Sequence, residues 1–198
     1  LLISCREYIL RNKPGEIVAP SQITNRWLIN HKEFEINKPK LLYVGRIRKE
    51  KGIYSLLQLM QENKEDFTLS IVGAEKNSLT QIVQDNVNVY EVENNEQNLI
   101  KFYDEHNIFI LPSYTEGHPM ALLEALSRLR PVIIFKDIEH VVGDKKGIFI
   151  ADRNYSSLLE QISYIKKNYK NIQQEMKKNK LPTKEEFLFK FCDLILRS

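Results

Sequence analysis

The chain has 198 residues, of which 42% are hydrophobic and 28% charged, values that are typical of an ordinary globular protein. This length gives room for one domain with a substantial core or for two small ones. The formal net charge of +3 is too small to indicate nucleic acid as a general partner, and no apolar run approaches the roughly 18 residues of a membrane-spanning helix.

The cysteines and the first residues indicate a compartment. Cys5 and Cys192 lie far apart and belong to no C-x-x-C pair, which is typical of idle thiols in a reducing environment. The opening stretch, LLISCREYILRN, becomes charged too early for a signal peptide. We therefore expect a cytoplasmic protein. The chain does not begin with Met, and we expect it to be a piece of something longer.

Residues 1–39 are the least regular part of the chain and predict a connector. Within it, residues 1–12 are interpreted as the end of a helix and residues 16–19 as a short strand. Trp27 has no periodic neighbours and is interpreted as a packing anchor rather than a ligand platform.

From Lys40 onward, apolar runs alternate with stretches of helical spacing. Strands are predicted at residues 41–44, 67–72, 87–92, 108–111, 131–135 and 148–151. Helices are predicted at residues 53–60, 79–83 and 99–103, from Pro119 onward, and at residues 156–169 and 185–196. Continuous apolar strands joined by helical crossovers form parallel sheets that are covered on both faces. The predicted fold is therefore α/β, a doubly wound parallel sheet of the Rossmann type with about six strands, over residues 40–198.

Two stretches that carry chemistry follow strands, and ligands of such sheets bind beyond the carboxyl ends of the strands. The first is the loop GRIRKEKG, residues 45–52, which is flanked by glycines and rich in cations. Arg46 and Lys51 in this loop suit a diphosphate, Arg as a two-pronged donor and Lys as a point charge. The loop matches neither the P-loop nor the G-x-G-x-x-G spacing. Taken alone, the loop is better explained as a solvated, charged loop.

The second stretch, residues 107–129, contains a strand, a turn and an apolar helix. Pro112 ends the strand, and Pro119 is predicted at the first helical position. Glu116 lies in the turn, and Glu124 is the one charged residue on the apolar part of the helix. The helix start suits a phosphate, whereas the carboxylates would repel one and suit sugar hydroxyl groups. Together the two stretches indicate a nucleotide-sugar ligand.

Both motifs resemble a known family. LLYVGRIRKEKGI is similar to the first strand and phosphate loop of the C-terminal, donor-binding domain of retaining family-four (group 1) glycosyltransferases with the GT-B fold. PSYTEGHPMALLEALSRLRPVI resembles the E-x7-E segment of that family, with Glu116 and Glu124 as its two carboxylates. The resemblance extends from about Lys40 to the end of the chain.

The resemblance implies a role for each matching residue. Gly45, Arg46 and Lys51 would bind the donor diphosphate, and Glu124 would bind the ribose hydroxyl groups. Glu116 would bind hydroxyl groups of the donor sugar, and the backbone of Gly117, His118, Pro119 and Met120 would lie along sugar and phosphate. Arg46, Lys51 and Glu116 would support catalysis, in which the acceptor attacks on the face that the diphosphate leaves. The loop near Val92 and Glu93 would read the base.

The same resemblance implies the partners. We expect a nucleotide-diphosphate sugar as donor and a glycan or lipid-linked molecule as acceptor, in the synthesis of a bacterial surface polysaccharide or glycoconjugate. A GT-B enzyme has two Rossmann domains with the acceptor site mainly in the first, and this chain contains only the second. We therefore expect the chain to need a missing N-terminal Rossmann domain and to be inactive alone.

Three departures from the family pattern are visible. Ala74-Glu75 and Glu93-Asn94 stand where the family often has Gly after the second and third strands. Arg128-Leu129-Arg130 replaces a small residue and Gly before the fifth strand, at the edge of the sheet away from the site.

Three functions other than a transferase share some of these sequence features. A non-catalytic GT-B-like partner subunit is the main alternative. A glycosidase would also use two carboxylates but has no need of the cationic loop, and a nicotinamide-binding module lacks its glycine fingerprint. Asp137-Ile138-Glu139 is interpreted as a hinge loop rather than a metal site, and we expect neither a metal nor a cofactor.

The C-terminal part of the chain is basic. Residues 141–198 contain 12 Lys and Arg against 7 Asp and Glu, hence +5. A solvated helix face explains this charge, and weak contact with the acidic inner face of a membrane is the alternative.

Overall fold

The structure is a computed structural model that describes residues 3–4, 15–32, 36–62, 67–75 and 84–197. Near the start of the chain, β1 (Ile3–Ser4) pairs in parallel with β2 (Glu16–Ile17). The prediction of a helix end over residues 1–12 is therefore wrong at Ile3–Ser4, and its other residues lie outside those that the structure describes. The short strand predicted at residues 16–19 is confirmed for its first two residues.

Six further strands form one parallel sheet in the order β5-β4-β3-β6-β7-β8. Their bounds are β3 (Lys40–Val44), β4 (Thr68–Ala74), β5 (Val87–Glu91), β6 (Ile108–Leu111), β7 (Val132–Phe135) and β8 (Ile148–Ala151). The chain starts in the middle, builds outward to β5, crosses back to β6 and continues to β8. This is the strand order of the doubly wound Rossmann fold, so the predicted fold class is confirmed.

Among the described residues, three α-helices lie between strands and two follow the last strand. They are α1 (Ile53–Gln61), α2 (Glu96–Glu105), α3 (Met120–Ser127), α4 (Tyr155–Met176) and α5 (Lys184–Leu196). The helix predicted at residues 79–83 lies outside the described residues. Every residue of β6 and of β7 is buried, which requires cover on both faces of the sheet and explains why these strands are continuous apolar runs.

The connector packs into the same core as the sheet. Ile23 is fully buried, and Trp27, in a short 3-10 helix, is 2% exposed. The Trp27 ring meets the Tyr103 ring of α2 edge-to-face at 5.5 Å between centroids, and its indole N–H donates to Glu96 at 3.1 Å. The packing role predicted for Trp27 is confirmed. The domain boundary after residue 39 stays a prediction.

Asp104, Arg128 and Arg130 form a buried cluster, the arginine clamp, at the edge of the sheet away from the carboxyl ends. Both guanidinium groups are 1% exposed. Arg128 donates twice to Asp104, at 3.0 and 2.9 Å. It also donates to the main-chain carbonyls of Trp27 and Ile29, at 2.9 and 2.7 Å. The clamp therefore ties the connector to α2 and to the end of α3.

Helix α5 lies on the surface of the domain. Its N-terminus is a complete capping box between Thr183 and Glu186, yet none of its residues is buried. Large apolar side chains on it are exposed: Leu188, Phe189, Ile195 and Leu196. In the described part of the chain, no helix combines the length and the apolar character that crossing a membrane requires.

Candidate functional site

The strand order reverses between β3 and β6, and this topological switch point is where doubly wound sheets bind ligands. The cationic loop follows β3, and the turn with Glu116 follows β6. The two stretches meet there, because the Lys51 ammonium group lies 2.8 Å from Oε1 of Glu116. The structure thus brings together two motifs that are 65 positions apart in sequence.

Two glycines allow this close approach. Gly52 has a left-handed backbone with φ of 67°, and a Cβ atom there would collide with the carbonyl group of Pro112. Gly73, with φ of 121°, would likewise collide with the carbonyl group of Gly45. Any other residue at either position would push the loops apart or strain the backbone. The close packing of the loops at the carboxyl edge of the sheet therefore depends on Gly52 and Gly73.

The cationic loop has a defined local structure. The Tyr43 hydroxyl group donates to the carbonyl of Arg46 at 2.9 Å, across the Gly45 turn. Burial raises the pKa of Tyr43 far above its ordinary value, so this hydroxyl group stays a donor. A short 3-10 helix, Lys49–Lys51, then leads into α1. The Arg46 side chain is exposed at the start of this loop.

Glu116 is nearly buried, with 9% of its side chain exposed. Its Oε1 accepts hydrogen bonds from the Ser113 hydroxyl group at 2.6 Å and from Lys51 at 2.8 Å. Its main-chain carbonyl contacts Nε2 of His140 at 2.8 Å. Both side-chain bonds are made to the same oxygen, so the described residues leave Oε2 for another partner. A held carboxylate with one open oxygen suits a ligand hydroxyl group.

A small cleft, the β3–β6 cleft, encloses about 200 Å³ beside this pair. It is lined by Tyr43, Val44, Gly45, Lys51, Leu111, Glu116, His118, Pro119, Met120 and Ala121. Six of the predicted site residues are among them. Arg46 and Gly117 are exposed at neighbouring positions of the chain.

The start of α3 differs by one residue from the prediction. Pro119 is the N-cap, with extended backbone (φ −73°, ψ 107°), and the helix begins at Met120. The prediction that Pro119 is the first helical residue is therefore wrong by one position, because ψ at Pro119 turns the chain away from the helix. Met120 and Ala121 of the first turn, whose N–H groups have no partner within the helix, still line the cleft.

His118 is anchored through its side chain. Its Nε2 lies 2.8 Å from the carbonyl oxygen of Pro20 in the connector. The sequence prediction concerned only its backbone, along sugar and phosphate, and that prediction remains open. The observed bond links the connector to the start of α3.

Glu124 belongs to a second, larger cleft. This connector cleft of about 410 Å³ is lined by Gln22, Thr24, Trp27, Glu93, Asn94, Glu96, Leu99, Glu124 and Lys184. Oε2 of Glu124 accepts a hydrogen bond from the Tyr103 hydroxyl group at 2.8 Å. Burial raises the pKa of Glu124, and the Tyr103 bond offsets part of that rise. The two predicted carboxylates therefore lie in different clefts and different environments.

Several groups at this edge were not predicted. The contact of Ser113 with Glu116 could have been predicted, because Ser-x-x-Glu is a sequence pattern that places the two side chains close together. Tyr103 carries no such signal, since its hydroxyl group reaches Glu124 only once α2 packs on α3. Gln22 and Thr24 reach the connector cleft for the same reason. Arg153, which follows β8 and contacts the Glu116 turn, was also missed.

Among the residues that the structure describes, a metal site would need a group of His, Cys, Asp or Glu side chains. No group of three or more His, Cys, Asp or Glu side chains among them is placed to hold an ion. Asp137 lies in the 3-10 segment Lys136–Val141 and pairs with Arg153 at 2.7 Å. The expectation of a metal-independent site stays a prediction.

Sequence comparison identifies the family. Residues 26–181 match the model of the family described as glycosyl transferases group 1, and the chain belongs to that family. The chain is 27% identical over 143 residues to an uncharacterized glycosyltransferase of Haemophilus influenzae, covering 66% of this chain and 40% of that protein. It is 30% identical over 129 residues to the putative teichuronic acid biosynthesis glycosyltransferase TuaC of Bacillus subtilis, covering 62% and 31%.

A third relative is the capsular polysaccharide biosynthesis glycosyltransferase CapM of Staphylococcus aureus, 28% identical over 132 residues, covering 61% of this chain and 34% of that protein. The aligned part thus spans between 31% and 40% of the length of these relatives.

Solved structures agree on the fold. Sucrose-phosphate synthase from Thermosynechococcus elongatus matches with a TM-score of 0.73 at 19% identity, over 96% of this chain and 55% of that chain. WaaG, a glycosyltransferase involved in lipopolysaccharide biosynthesis, matches with a TM-score of 0.69 at 16% identity, over 91% and 56%. These neighbours are GT-B glycosyltransferases, so the predicted fold and family are confirmed.

Proposed function

We propose that the chain is the donor-binding half of a retaining, metal-independent glycosyltransferase that uses a nucleotide-diphosphate sugar. The observation that carries the proposal is the 2.8 Å contact of Lys51 with Glu116 at the switch point. It joins a cationic loop and a carboxylate turn in a member of the group 1 family. A diphosphate and a sugar hydroxyl group need these two groups side by side.

Lys51 and Arg46 hold the diphosphate in this proposal. A carboxylate beside a phosphate would repel it, but here the Lys51 ammonium group stands against Glu116 and neutralises that charge locally. The free N–H groups at the start of α3 add a positive dipole end. Negative charge grows on the leaving diphosphate during transfer, and these groups are in place before the reaction to stabilise it.

Glu116 and Glu124 bind hydroxyl groups of different sugars. Oε2 of Glu116 accepts from the transferred sugar in the β3–β6 cleft, and Glu124 accepts from the ribose in the connector cleft. The base lies near Val92, which is 51% exposed. The Glu93 carboxylate already accepts from the Asn95 N–H at 2.6 Å and the Asn98 side chain at 3.1 Å. Base recognition there therefore falls to the backbone rather than to the Glu93 side chain.

The rest of the enzyme is proposed from the relatives. TuaC and CapM are named for teichuronic acid and capsular polysaccharide biosynthesis, so the acceptor proposed here is a glycan or lipid-linked precursor of a bacterial surface polysaccharide. The proposed sugar transfer would take place in the cytoplasm, at or near the inner face of the membrane. The missing partner is an N-terminal Rossmann domain. The exposed apolar side chains of α5, such as Phe189 at 78% exposure, are the surface proposed for its contact.

Calorimetric titration of the chain tests the donor-binding role. The probes are UDP, GDP and ADP, each beside its monophosphate. Arg46→Ala and Lys51→Ala should weaken the diphosphates more than the monophosphates. A charge-assisted hydrogen bond contributes about 1.5–3 kcal/mol, hence roughly ten- to a hundredfold in affinity.

Lys49→Ala is the matched control, because Lys49 is an exposed lysine of the same loop. It should leave both ligand classes within a fewfold of the unchanged chain. Equal losses for diphosphate and monophosphate in the Arg46 and Lys51 variants would contradict the diphosphate role. Absence of binding by the unchanged chain would contradict the proposal as a whole.

A further inference from the structure

Arg153 bridges the two loops of the candidate site. It follows β8, and its guanidinium group donates from Nη1 to the carbonyl of Pro112 at 2.8 Å and to the Ser55 hydroxyl group at 2.9 Å. From Nη2 it donates to the carbonyl of Ser113 at 3.3 Å and to Asp137 at 2.7 Å. One planar group thus serves four acceptors from three segments of the chain.

Two aromatic rings fix the plane of this group. The guanidinium carbon lies 4.0 Å from the centre of the Tyr114 ring and 4.4 Å from that of the Phe135 ring. Cationic groups are attracted to ring faces at such distances, and a guanidinium plane stacks there better than an ammonium group. The Arg153 side chain is only 18% exposed.

The two Nη atoms of Arg153 have no N–H bond left for a ligand, and its Nε is buried away from one. All four N–H bonds of its two Nη atoms have protein acceptors, and within the described chain its Nε is buried without a partner. A phosphate could be bound only by breaking contacts with Pro112, Ser113, Ser55 or Asp137. The geometry therefore excludes a direct substrate contact and leaves a structural one.

The segments that Arg153 holds are those that carry Lys51 and Glu116. Ser55 also donates to the carbonyl of Gly52, the residue after Lys51, at 2.8 Å. On the other side, the hydroxyl group of Ser113 donates to Glu116 at 2.6 Å. The two segments also join directly, because the N–H of Tyr114 donates to the carbonyl of Glu50 at 3.0 Å.

We propose that Arg153 is a positioning residue that holds the Glu116 turn against the Lys51 loop and so sets the spacing of diphosphate and sugar. The proposal rests on the proposed donor-binding function. It assigns to Arg153 a role at the site without substrate contact. A single ammonium group could not serve four acceptors and two rings, so Lys is not an adequate replacement.

The first test is calorimetry with UDP-glucose, GDP-glucose and ADP-glucose on the full chain. Arg153→Gln and Arg153→Lys should both weaken whichever sugar nucleotide the unchanged chain binds best, by about tenfold or more. Asp137→Asn keeps the other three acceptors of Arg153, so its affinity for the same sugar nucleotide should stay within about threefold of that of the unchanged chain. Arg197→Gln is the matched control, because Arg197 is the C-cap residue of α5 and its side chain is 73% exposed. Affinity retained by Arg153→Lys would overturn the proposal.

The second test does not depend on a ligand. Hydrogen exchange of the full chain, followed by mass spectrometry, should show faster exchange in residues 49–56 and 112–118 of both Arg153 variants. Exchange in β3 and in the connector should be unchanged, which excludes general unfolding. Unchanged exchange at both loops would overturn the positioning role, whatever the affinities. If the unchanged chain binds no sugar nucleotide, the proposed function fails, and the exchange result alone decides the role of Arg153.

Discussion

Glu116 and Glu124 show how the same residue type acquires two characters within eight positions. Glu116 is held by a cation and a hydroxyl group on one oxygen. Glu124 lies one turn into an apolar helix and has the Tyr103 hydroxyl group as its hydrogen-bond donor. Lys51 therefore balances the negative charge of Glu116. Burial instead favours the neutral form of Glu124 by raising its pKa.

Truncation should separate the two carboxylates. Glu124→Ala should weaken a free nucleoside diphosphate and its sugar conjugate alike, because both carry the ribose. Glu116→Ala should weaken only the sugar conjugate, by roughly tenfold, since a hydrogen bond to a charged group contributes about 1.5 kcal/mol or more. Titration of UDP and UDP-glucose, or the matching pair for the preferred base, measures both. A Glu116 variant that loses free nucleotide as badly as the Glu124 variant would show that the assignment is wrong.

Glu124 should also give a pH-dependent stability. Its raised pKa means that the folded chain holds the proton more tightly than the unfolded chain, so the free energy of unfolding falls as pH rises through this titration. Glu124→Gln cannot ionise and still offers an oxygen to Tyr103. It should therefore melt at higher temperature than the unchanged chain at pH 7, with the difference shrinking toward pH 4.

Melting curves between pH 4 and pH 8 measure this effect. Glu160→Gln, on the exposed face of α4, controls for the loss of one negative charge. A Glu124→Gln chain that melts below the unchanged chain at pH 7 would mean that the carboxylate stabilises the fold.

Secondary structure elements with a strong period were predictable from sequence. The six strands of the main sheet and the five described helices were predicted from apolar runs and helical spacing, because such elements pack against their neighbours in a regular way. The connector was not predictable in detail. Its position depends on Arg128 and Arg130, whose acceptors are up to 102 residues away in sequence, and no local pattern encodes such contacts.

The same limit applies to the candidate site. Gly45, Lys51 and Glu116 could be proposed because a strand end and a turn place them at one edge whatever the packing. Tyr103 and Arg153 could not, since their hydroxyl and guanidinium groups reach the site only through tertiary packing. The start of α3 was misplaced by one residue because Pro favours the first helical position, whereas here a ψ of 107° leaves Pro119 extended at the N-cap.

The arginine clamp should be a strong determinant of stability at the scale of elements. Asp104→Ala would remove the carboxylate that pairs with Arg128 and Arg130, whose side chains are each 1% exposed. Breaking a buried pair by removing one partner lowers the free energy of unfolding by about 3–5 kcal/mol. Glu105→Ala, which breaks an exposed pair with Lys101 one residue further on, should change it by less than about 1 kcal/mol. Urea unfolding of both variants measures the difference, and similar values would contradict the role of the clamp.

At the scale of the whole molecule, the described residues form a six-stranded Rossmann sheet, and the chain aligns with 31% to 40% of the length of its sequence relatives. Its sequence relatives are more than twice as long as the parts aligned with it. We therefore expect the purified chain to fold and bind nucleotide, and to show no sugar transfer even with the preferred donor. Transfer is measured with radiolabelled donor and crude lipid-linked acceptor. Robust transfer by this chain alone would contradict the prediction.

The arginine clamp also bears on how freely the connector can change. Its contacts with the connector go to main-chain carbonyls, those of Arg26, Trp27, Ile29, Asn30 and Lys32. The exposed side chains at positions 29 and 32 are therefore not selected by the clamp, whereas Asn30, with φ of 54°, occupies a conformation that few residues tolerate. In a chimaera, the exposed side chains at positions 29 and 32 can therefore be changed as long as the backbone path of the connector is kept. The junction of the chimaera belongs upstream of Val18, so that Ile23 and Trp27 travel with the sheet they pack against.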